Sequence, residues 1–88
     1  MLTKRFQIKL DGGLHARPAA AFVQLCNRFD SEIIIKRDYA TVNAKSIIGV
    51  MALGVADEDE IDLVIDGSDE VDALETIAHF LEEKIQLI

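Results

Sequence analysis

The stretch Gly13-Leu14-His15-Ala16-Arg17-Pro18-Ala19-Ala20 marks the point at which the chain changes from strand to helix. Before it, the apolar residues Phe6, Ile8 and Leu10 alternate with polar ones. Such alternation is typical of a half-buried strand. Pro18 is the only proline, and proline is tolerated only in the first turn of a helix, so a helix is predicted to start at Ala16. Its apolar residues recur on one face: Ala19, Phe22, Val23 and Cys26.

His15 is predicted to occupy the N-cap of this helix. The free backbone N–H groups of Ala16 and Arg17, with the positive end of the helix dipole, would then form an anion site suited to phosphate. The guanidinium of Arg17 adds a planar set of donors that matches phosphate oxygens. A neutral imidazole can accept a phosphoryl group, so we interpret His15 as a residue that takes up and passes on phosphate. The competing interpretation is a solvated cap histidine without chemistry.

The middle of the chain predicts two strands and a short helix. Residues 32–36 are β-branched and predict a strand, residues 37–40 a turn without glycine, and residues 41–43 a third strand. A helix is expected over 46–53, with Ser46 as its N-cap and Gly54 just past its end.

The last part predicts a strand and a helix. Ile61, Leu63 and Ile65 alternate with Asp62, Val64 and Asp66, which predicts a fourth strand. Ser68 or Asp69 is expected to cap a final helix, whose apolar stripe we place as follows: Val71, Leu74, Ala78, Leu81 and Ile85. The order βαββαβα predicts an α+β fold in one domain over residues 1–88, with the helices on one face of the sheet.

Composition excludes several classes of function. Nine basic residues against sixteen acidic ones give a net charge of −7, which argues against binding nucleic acid or anionic membranes. The single cysteine, Cys26, allows no intramolecular disulfide and is expected to be buried. No apolar run is long enough to span a membrane and no signal peptide is seen, so we expect a cytoplasmic protein.

Metal or cofactor binding is not expected. No His/Cys cluster has ligand spacing, and His79 is predicted to be structural. The acidic residues 57–60 lack the spacing of a calcium-binding loop and are predicted to be solvated.

Three blocks of sequence carry a resemblance to a known family. Residues 13–20 resemble the active-site signature of the HPr family, the histidine-containing phosphocarriers of the bacterial phosphotransferase system. Residues 42–51 are similar to the regulatory-serine region of its Gram-positive members, and residues 67–70 to the start of its last helix. The resemblance covers nearly the whole chain and implies an antiparallel open-faced β-sandwich with four strands and three helices.

The resemblance implies a role for each residue of the first block. His15 would accept the phosphoryl group on Nδ1 from Enzyme I, itself charged from phosphoenolpyruvate, and pass it to IIA domains of sugar permeases. Arg17 would neutralise charge on the moving group, with Ala16 N–H and Arg17 N–H as further donors. Such a protein is a stoichiometric carrier rather than a stand-alone enzyme.

Ser46 has two interpretations. From the residues alone it is a helix cap. The resemblance implies a target of HPr kinase/phosphorylase, and a phosphoserine would add about two negative charges near His15 and slow charging by Enzyme I. In Gram-positive bacteria that form would also bind a catabolite-control transcription regulator.

An exposed apolar docking patch is predicted around the site, shared by several partner proteins. Its predicted members are Leu14, Lys45, Ile47, Ile48 and Met51. The alternative for the apolar members is simple core packing.

Three features depart from the family's usual pattern: Gly12 replaces a polar residue, Ile48 a common methionine, and residues 56–59 are unusually acidic. They favour, as a second hypothesis, an HPr-like catabolite-repression regulator acting mainly through phospho-Ser46. A third hypothesis is a domain of a larger transferase.

Overall fold

The computed structural model describes residues 1–8, 14 and 16–81, which form an antiparallel four-stranded sheet with three helices on one face. The elements follow in the predicted order βαββαβα, and the strands lie in the order β1-β4-β2-β3. Their bounds are β1 Leu2–Gln7, α1 Ala16–Cys26, β2 Glu32–Arg37, β3 Ala40–Asn43, α2 Ile47–Leu53, β4 Glu60–Asp66 and α3 Glu70–His79. The predicted fold class is confirmed.

The alternation of the strands sets the register of the sheet. Phe6 lies opposite Ile61, and Ile35 lies opposite Leu63, so the apolar side chains of neighbouring strands meet on the face that the helices cover. All four are buried. On the other face Arg5 of β1 lies opposite Asp62 of β4, and the two form an ion pair at 2.9 Å. That face is polar, and no helix within the described ranges covers it.

Helix α1 buries the predicted apolar face against the sheet. Ala19, Phe22, Val23 and Cys26 are each at most 8% exposed, and the helix ends at Cys26. Burial raises the pKa of the Cys26 thiol to about 12, so it packs as a small apolar group and is not a reactive thiolate.

Helix α2 has the predicted caps at both ends. The hydroxyl of Ser46 accepts a hydrogen bond from the backbone N–H of Gly49 at 3.1 Å. Gly54 ends the helix in the left-handed conformation with φ 68°, which glycine adopts without steric cost. At seven residues α2 is too short to be stable alone, so its position depends on its neighbours.

The predicted apolar stripe of α3 is partly wrong. Val71 is 60% exposed, whereas Ala73, Ile77 and Leu81 are fully buried. These three lie four residues apart and so form one line along the helix; Val71 precedes Ala73 by two residues and lies about 200° around the axis. Leu74 and Ala78 flank the buried line, and Ile85 lies outside the described residues.

Asp69 is the N-cap of α3, but its side chain makes no capping hydrogen bond. Its carboxylate instead accepts from the backbone N–H groups of Asp30 at 2.8 Å and Ser31 at 2.9 Å, and from the Ser31 hydroxyl. The bond from the Ser31 hydroxyl and that from Asp30 N–H hold the pKa of Asp69 below its ordinary value of 3.8. Asp69 therefore joins the turn before β2 to the start of α3.

This bonding predicts that Asp69 supports the fold in its charged form. Because the folded pKa is lowered, the stabilisation is present above the unfolded pKa and is lost as pH falls below about 4 through the folded pKa. Asp69→Asn should therefore have a lower melting temperature than wild type at neutral pH. The difference in melting temperature should become smaller as the pH is lowered, which thermal melts followed by circular dichroism measure.

The matched control is Asp30→Asn, which alters an exposed carboxylate in the same turn and should melt close to wild type at neutral pH. A difference in melting temperature between Asp69→Asn and wild type that does not change with pH would contradict a role for the Asp69 charge.

Candidate functional site

The structure describes Leu14 before His15 and the residues from Ala16 onward after it. His15 itself, with Gly12 and Gly13, lies outside the described residues. Helix α1 begins at Ala16, as predicted, and Arg17 in its first turn is exposed. The backbone N–H groups of a first helical turn have no partner within the helix. The start of α1 therefore offers the N–H groups of Ala16 and Arg17, together with the exposed guanidinium of Arg17, as hydrogen-bond donors. Such an end favours negatively charged groups.

Leu14 does not belong to an exposed docking patch, which corrects that part of the prediction. It is 1% exposed and belongs to the core, and its backbone N–H donates to the carbonyl of Val55 at 2.9 Å. An apolar residue that directly precedes a polar, solvated helix start can face inward, because neighbouring residues point in different directions there. Leu14 therefore anchors the chain immediately before His15.

The segment between α2 and β4, residues 54–59 (the α2–β4 loop), is tied to both sides of this region. Val55 is buried and bonds Leu14. At the other end, Ile8 N–H donates to the carbonyl of Asp59 at 2.8 Å, and Glu58 N–H donates to the carbonyl of Ile8 at 2.7 Å. Glu58 has φ 74°, an unusual conformation for a residue other than glycine. The loop therefore holds residues 8 and 14, which flank residues 9–13 in the sequence.

Helix α2 carries the exposed apolar residues of the predicted patch. Ile47 is 37%, Ile48 79% and Met51 48% exposed, whereas Leu53 is 8% exposed and belongs to the core. We call these three exposed residues the α2 surface. An exposed group of large apolar side chains is typical of a surface that another protein covers.

Lys45 is held at the end of α1. It is half-buried, and its ammonium donates to the carbonyl of Phe29 at 2.6 Å. The side-chain amide of Asn27 donates to the carbonyls of Val23 at 2.9 Å and of Lys45 at 3.3 Å. These bonds fasten the turn before Ser46 to the C-terminal end of α1.

Helices α1 and α2 pack against each other in antiparallel orientation. Leu14, before α1, bonds Val55, just after α2, while Phe29, after α1, bonds Lys45, just before α2. Ser46 and the start of α1 therefore lie at opposite ends of the helix pair. The seven residues of α2 at about 1.5 Å each separate these ends by about 10 Å, so Ser46 is not directly beside the start of α1.

Arg37 was not singled out from the sequence. Its guanidinium donates from Nη1 to the carbonyls of Leu53 and Gly54, each at 2.9 Å, and its Nη2 lies 2.9 Å from Oδ2 of Asp59. It thus binds the end of α2 and the end of the α2–β4 loop together. No local pattern signals such a contact, because the partners lie 16 to 22 residues away along the chain.

Within residues 1–8, 14 and 16–81, no three His, Cys, Asp or Glu side chains are grouped so that they could hold a metal ion. His79 is exposed at the end of α3, and its structural role remains a prediction. None of the helices in the described part of the chain is long and apolar enough to cross a membrane.

Known proteins similar to this chain share one family. The family model described as "PTS HPr component phosphorylation site" matches residues 2–83. The HPr-like protein Crh of Halalkalibacterium halodurans is 48% identical over 84 residues, covering 96% of this chain and all of the relative. The phosphocarrier protein HPr of Treponema pallidum is 45% identical over 86 residues, covering 98% of each.

A solved structure shares the fold at high similarity. The crystal structure of HPr-C-His from Thermoanaerobacter tengcongensis matches with a TM-score of 0.94 at 42% identity, and covers 98% of this chain and 97% of that one. The resemblance read from residues 13–20 and 42–51 is thereby confirmed at the level of the family.

Leu14 and Ile48 should differ sharply when each is shortened to alanine. Leu14→Ala removes a buried side chain and should lower the free energy of unfolding by about 2–5 kcal/mol. Ile48→Ala alters a side chain that is 79% exposed and should change the free energy of unfolding by no more than about 0.5 kcal/mol. Urea titrations of both variants measure this, and equal losses would contradict the exposure of the α2 surface.

Proposed function

The chain belongs to the HPr family, and we propose that it is a cytoplasmic phosphocarrier in which His15 accepts a phosphoryl group from Enzyme I and passes it to IIA domains of sugar permeases. Proteins of this family interact in general with Enzyme I and IIA proteins. The observation that supports the proposal is the sequence His15-Ala16-Arg17, whose last two residues open α1, in a chain that matches the HPr family model over residues 2–83.

The proposed transfer needs a nucleophile, charge neutralisation and an in-line approach. Nδ1 of a neutral His15 imidazole forms a bond to phosphorus while the bond between phosphorus and its donor atom on Enzyme I breaks. The ring proton stays on the other nitrogen. Arg17 and the N–H groups of the first turn of α1 would balance charge on the transferred group's oxygens. The N–P bond formed is labile, so the second transfer to a IIA domain runs by the same chemistry in reverse.

The α2 surface supports a docking role in this scheme. A carrier must bind its donor and its acceptor in turn, so one shared and moderately apolar surface suits it better than a deep pocket. Ile47, Ile48 and Met51 lie along α2, which packs beside α1. We propose that Enzyme I and IIA domains cover these residues while they reach His15. Lys45 would contribute to the same contact at the start of α2.

We further propose that Ser46 is the target of HPr kinase/phosphorylase. Its hydroxyl already accepts from Gly49 N–H, and a phosphate placed there would meet the favourable end of the α2 dipole. Ser46 and the start of α1 are about 10 Å apart along α2, a distance at which exposed charges are largely screened. The negative charges of a phosphate on Ser46, about two in number, would therefore slow phosphorylation by Enzyme I chiefly by repelling Enzyme I from the α2 surface.

An HPr-like catabolite-repression regulator remains the second proposal. The similarity to the Crh proteins of Halalkalibacterium halodurans and Bacillus subtilis favours it. In that role the chain would act mainly through phospho-Ser46 and would bind a catabolite-control transcription regulator. The two proposals differ in one respect that can be measured, namely whether His15 becomes phosphorylated.

A phosphotransfer assay distinguishes them. The protein is incubated with Enzyme I and labelled phosphoenolpyruvate, beside His15→Ala and Arg17→Lys. For a carrier, wild type should gain an acid-labile phosphate, His15→Ala none, and Arg17→Lys should be labelled more slowly at unchanged half-saturating concentration, because a lysine cannot match the planar donors of arginine.

The control is incubation with HPr kinase and ATP, which should label wild type and His15→Ala alike but not Ser46→Ala. Acid-stable labelling by the kinase without any labelling by Enzyme I would support the regulator instead. Labelling of His15→Ala by Enzyme I would contradict His15 as the acceptor.

A further inference from the structure

Arg37 makes a contact that the proposed transfer does not use. It is the last residue of β2, and its side chain is 30% exposed. It is not one of the residues assigned to docking or transfer. One guanidinium nitrogen bonds two carbonyls at the end of α2, and another pairs with a carboxylate at the end of the α2–β4 loop. From this geometry we propose that Arg37 is a positioning residue for the candidate site, acting through the α2–β4 loop on Leu14; the inference rests on the proposed function.

The first step of the connection is the end of α2. The last carbonyls of a helix have no partner within it, and those of a seven-residue helix are a large share of its backbone groups. Arg37 Nη1 satisfies one of them, the carbonyl of Leu53, and also the carbonyl of the C-cap residue Gly54, at 2.9 Å each. A positive charge at this end also interacts favourably with the helix dipole.

The second step is the α2–β4 loop. Oδ2 of Asp59, which lies 2.9 Å from Arg37 Nη2, also accepts the backbone N–H of Ala56 at 2.8 Å. The guanidinium therefore holds the beginning and the end of residues 54–59 at one point. Val55, between them, is buried, and its carbonyl faces Leu14.

The third step reaches the candidate site. Leu14 N–H donates to Val55 at 2.9 Å, and Leu14 directly precedes His15. A shift of the loop therefore shifts the backbone next to the proposed phosphoryl acceptor. Group transfer is sensitive to displacements of about 1 Å, which can cost up to about a hundredfold in rate. Among the described residues Arg37 bonds the end of α2 and the α2–β4 loop, so its proposed effect on transfer runs through the backbone at Leu14.

Arg37→Met is the variant that tests this, because it keeps much of the aliphatic stem and removes every donor. Arg5→Met is the charge control: Arg5, like Arg37, forms ion pairs, here with Asp62 and Glu60, but it lies on the uncovered face of the sheet. Both variants remove one positive charge and one arginine. An effect of net charge alone should be similar in the two.

The measurements are the rate of phosphorylation by Enzyme I over a range of carrier concentrations and the hydrogen exchange of the Leu14 amide. In Arg37→Met the maximal rate should fall about tenfold at a nearly unchanged half-saturating concentration, and Leu14 exchange should accelerate about tenfold. Exchange in β4 should not change. Arg37→Lys, which can bond one carbonyl but not all three groups, should fall between Arg37→Met and wild type in both readouts.

Each outcome has one meaning. If wild type is labelled and Arg37→Met is labelled as fast as Arg5→Met, the positioning role is wrong although the proposed function stands. If wild type is not labelled at all, the proposed function fails, and Leu14 exchange alone then decides whether Arg37 fixes this backbone. If Arg37→Met does not fold, Asp59→Asn, which removes only the ion pair, takes its place and should show a smaller effect of the same kind.

Discussion

The backbone hydrogen bond between Leu14 N–H and the Val55 carbonyl is the contact on which the arrangement of the site depends. It joins the chain before α1 to the chain after α2, and the bond from Lys45 to Phe29 joins the two helices at their other ends. A helix as short as α2 gains little stability from its own hydrogen bonds. Because it is fixed at both ends to α1, it can nevertheless present exposed apolar side chains in a defined position.

Core packing limits which of the described residues near the candidate site remain exposed. The inner face of the sheet, the buried line of each helix and Leu14 are all used for the core. A small domain needs that burial, because it leaves a larger share of its chain exposed than a large one does. Leu14 is buried and bonded to Val55, whereas Arg17 in the first turn of α1 is exposed. An exposed helix start of this kind would be accessible to two different partner proteins in turn, as the proposed transfer requires.

Local signals in the sequence predict the caps of α2 and the strand β4 correctly, whereas contacts between distant residues cannot be predicted from such signals. The cap at Ser46, the glycine at position 54 and the alternation of β4 each depend on neighbours within a few residues. The sequence predicts Leu14 in the exposed docking patch around the site, and only its burial and its contact with Val55, 41 residues further on, show that it belongs to the core.

Asp69 illustrates the same limit within a single residue. Its position as N-cap follows from the sequence, but its carboxylate is used by Asp30 and Ser31, 39 and 38 residues away. A cap residue is interchangeable with several others, whereas a carboxylate that accepts two backbone N–H groups and a hydroxyl is not. The stripe of α3 was misplaced for a related reason: the spacing of apolar residues gives the helix period, but several rotations of the helix satisfy it, and packing against the sheet selects one.

The antiparallel helix pair also constrains how the two proposed phosphorylation sites could influence each other. The ends of α2 are about 10 Å apart, and at physiological ionic strength exposed charges are screened over about 8 Å. A phosphate at Ser46 would therefore perturb a phosphoryl group at the start of α1 only weakly through space. Both positions, however, border the α2 surface, one at each end of the helix. A partner that covers Ile47, Ile48 and Met51 would meet both charges at once, and in this geometry the two modifications would be linked through that partner's binding energy rather than through a change in the carrier itself.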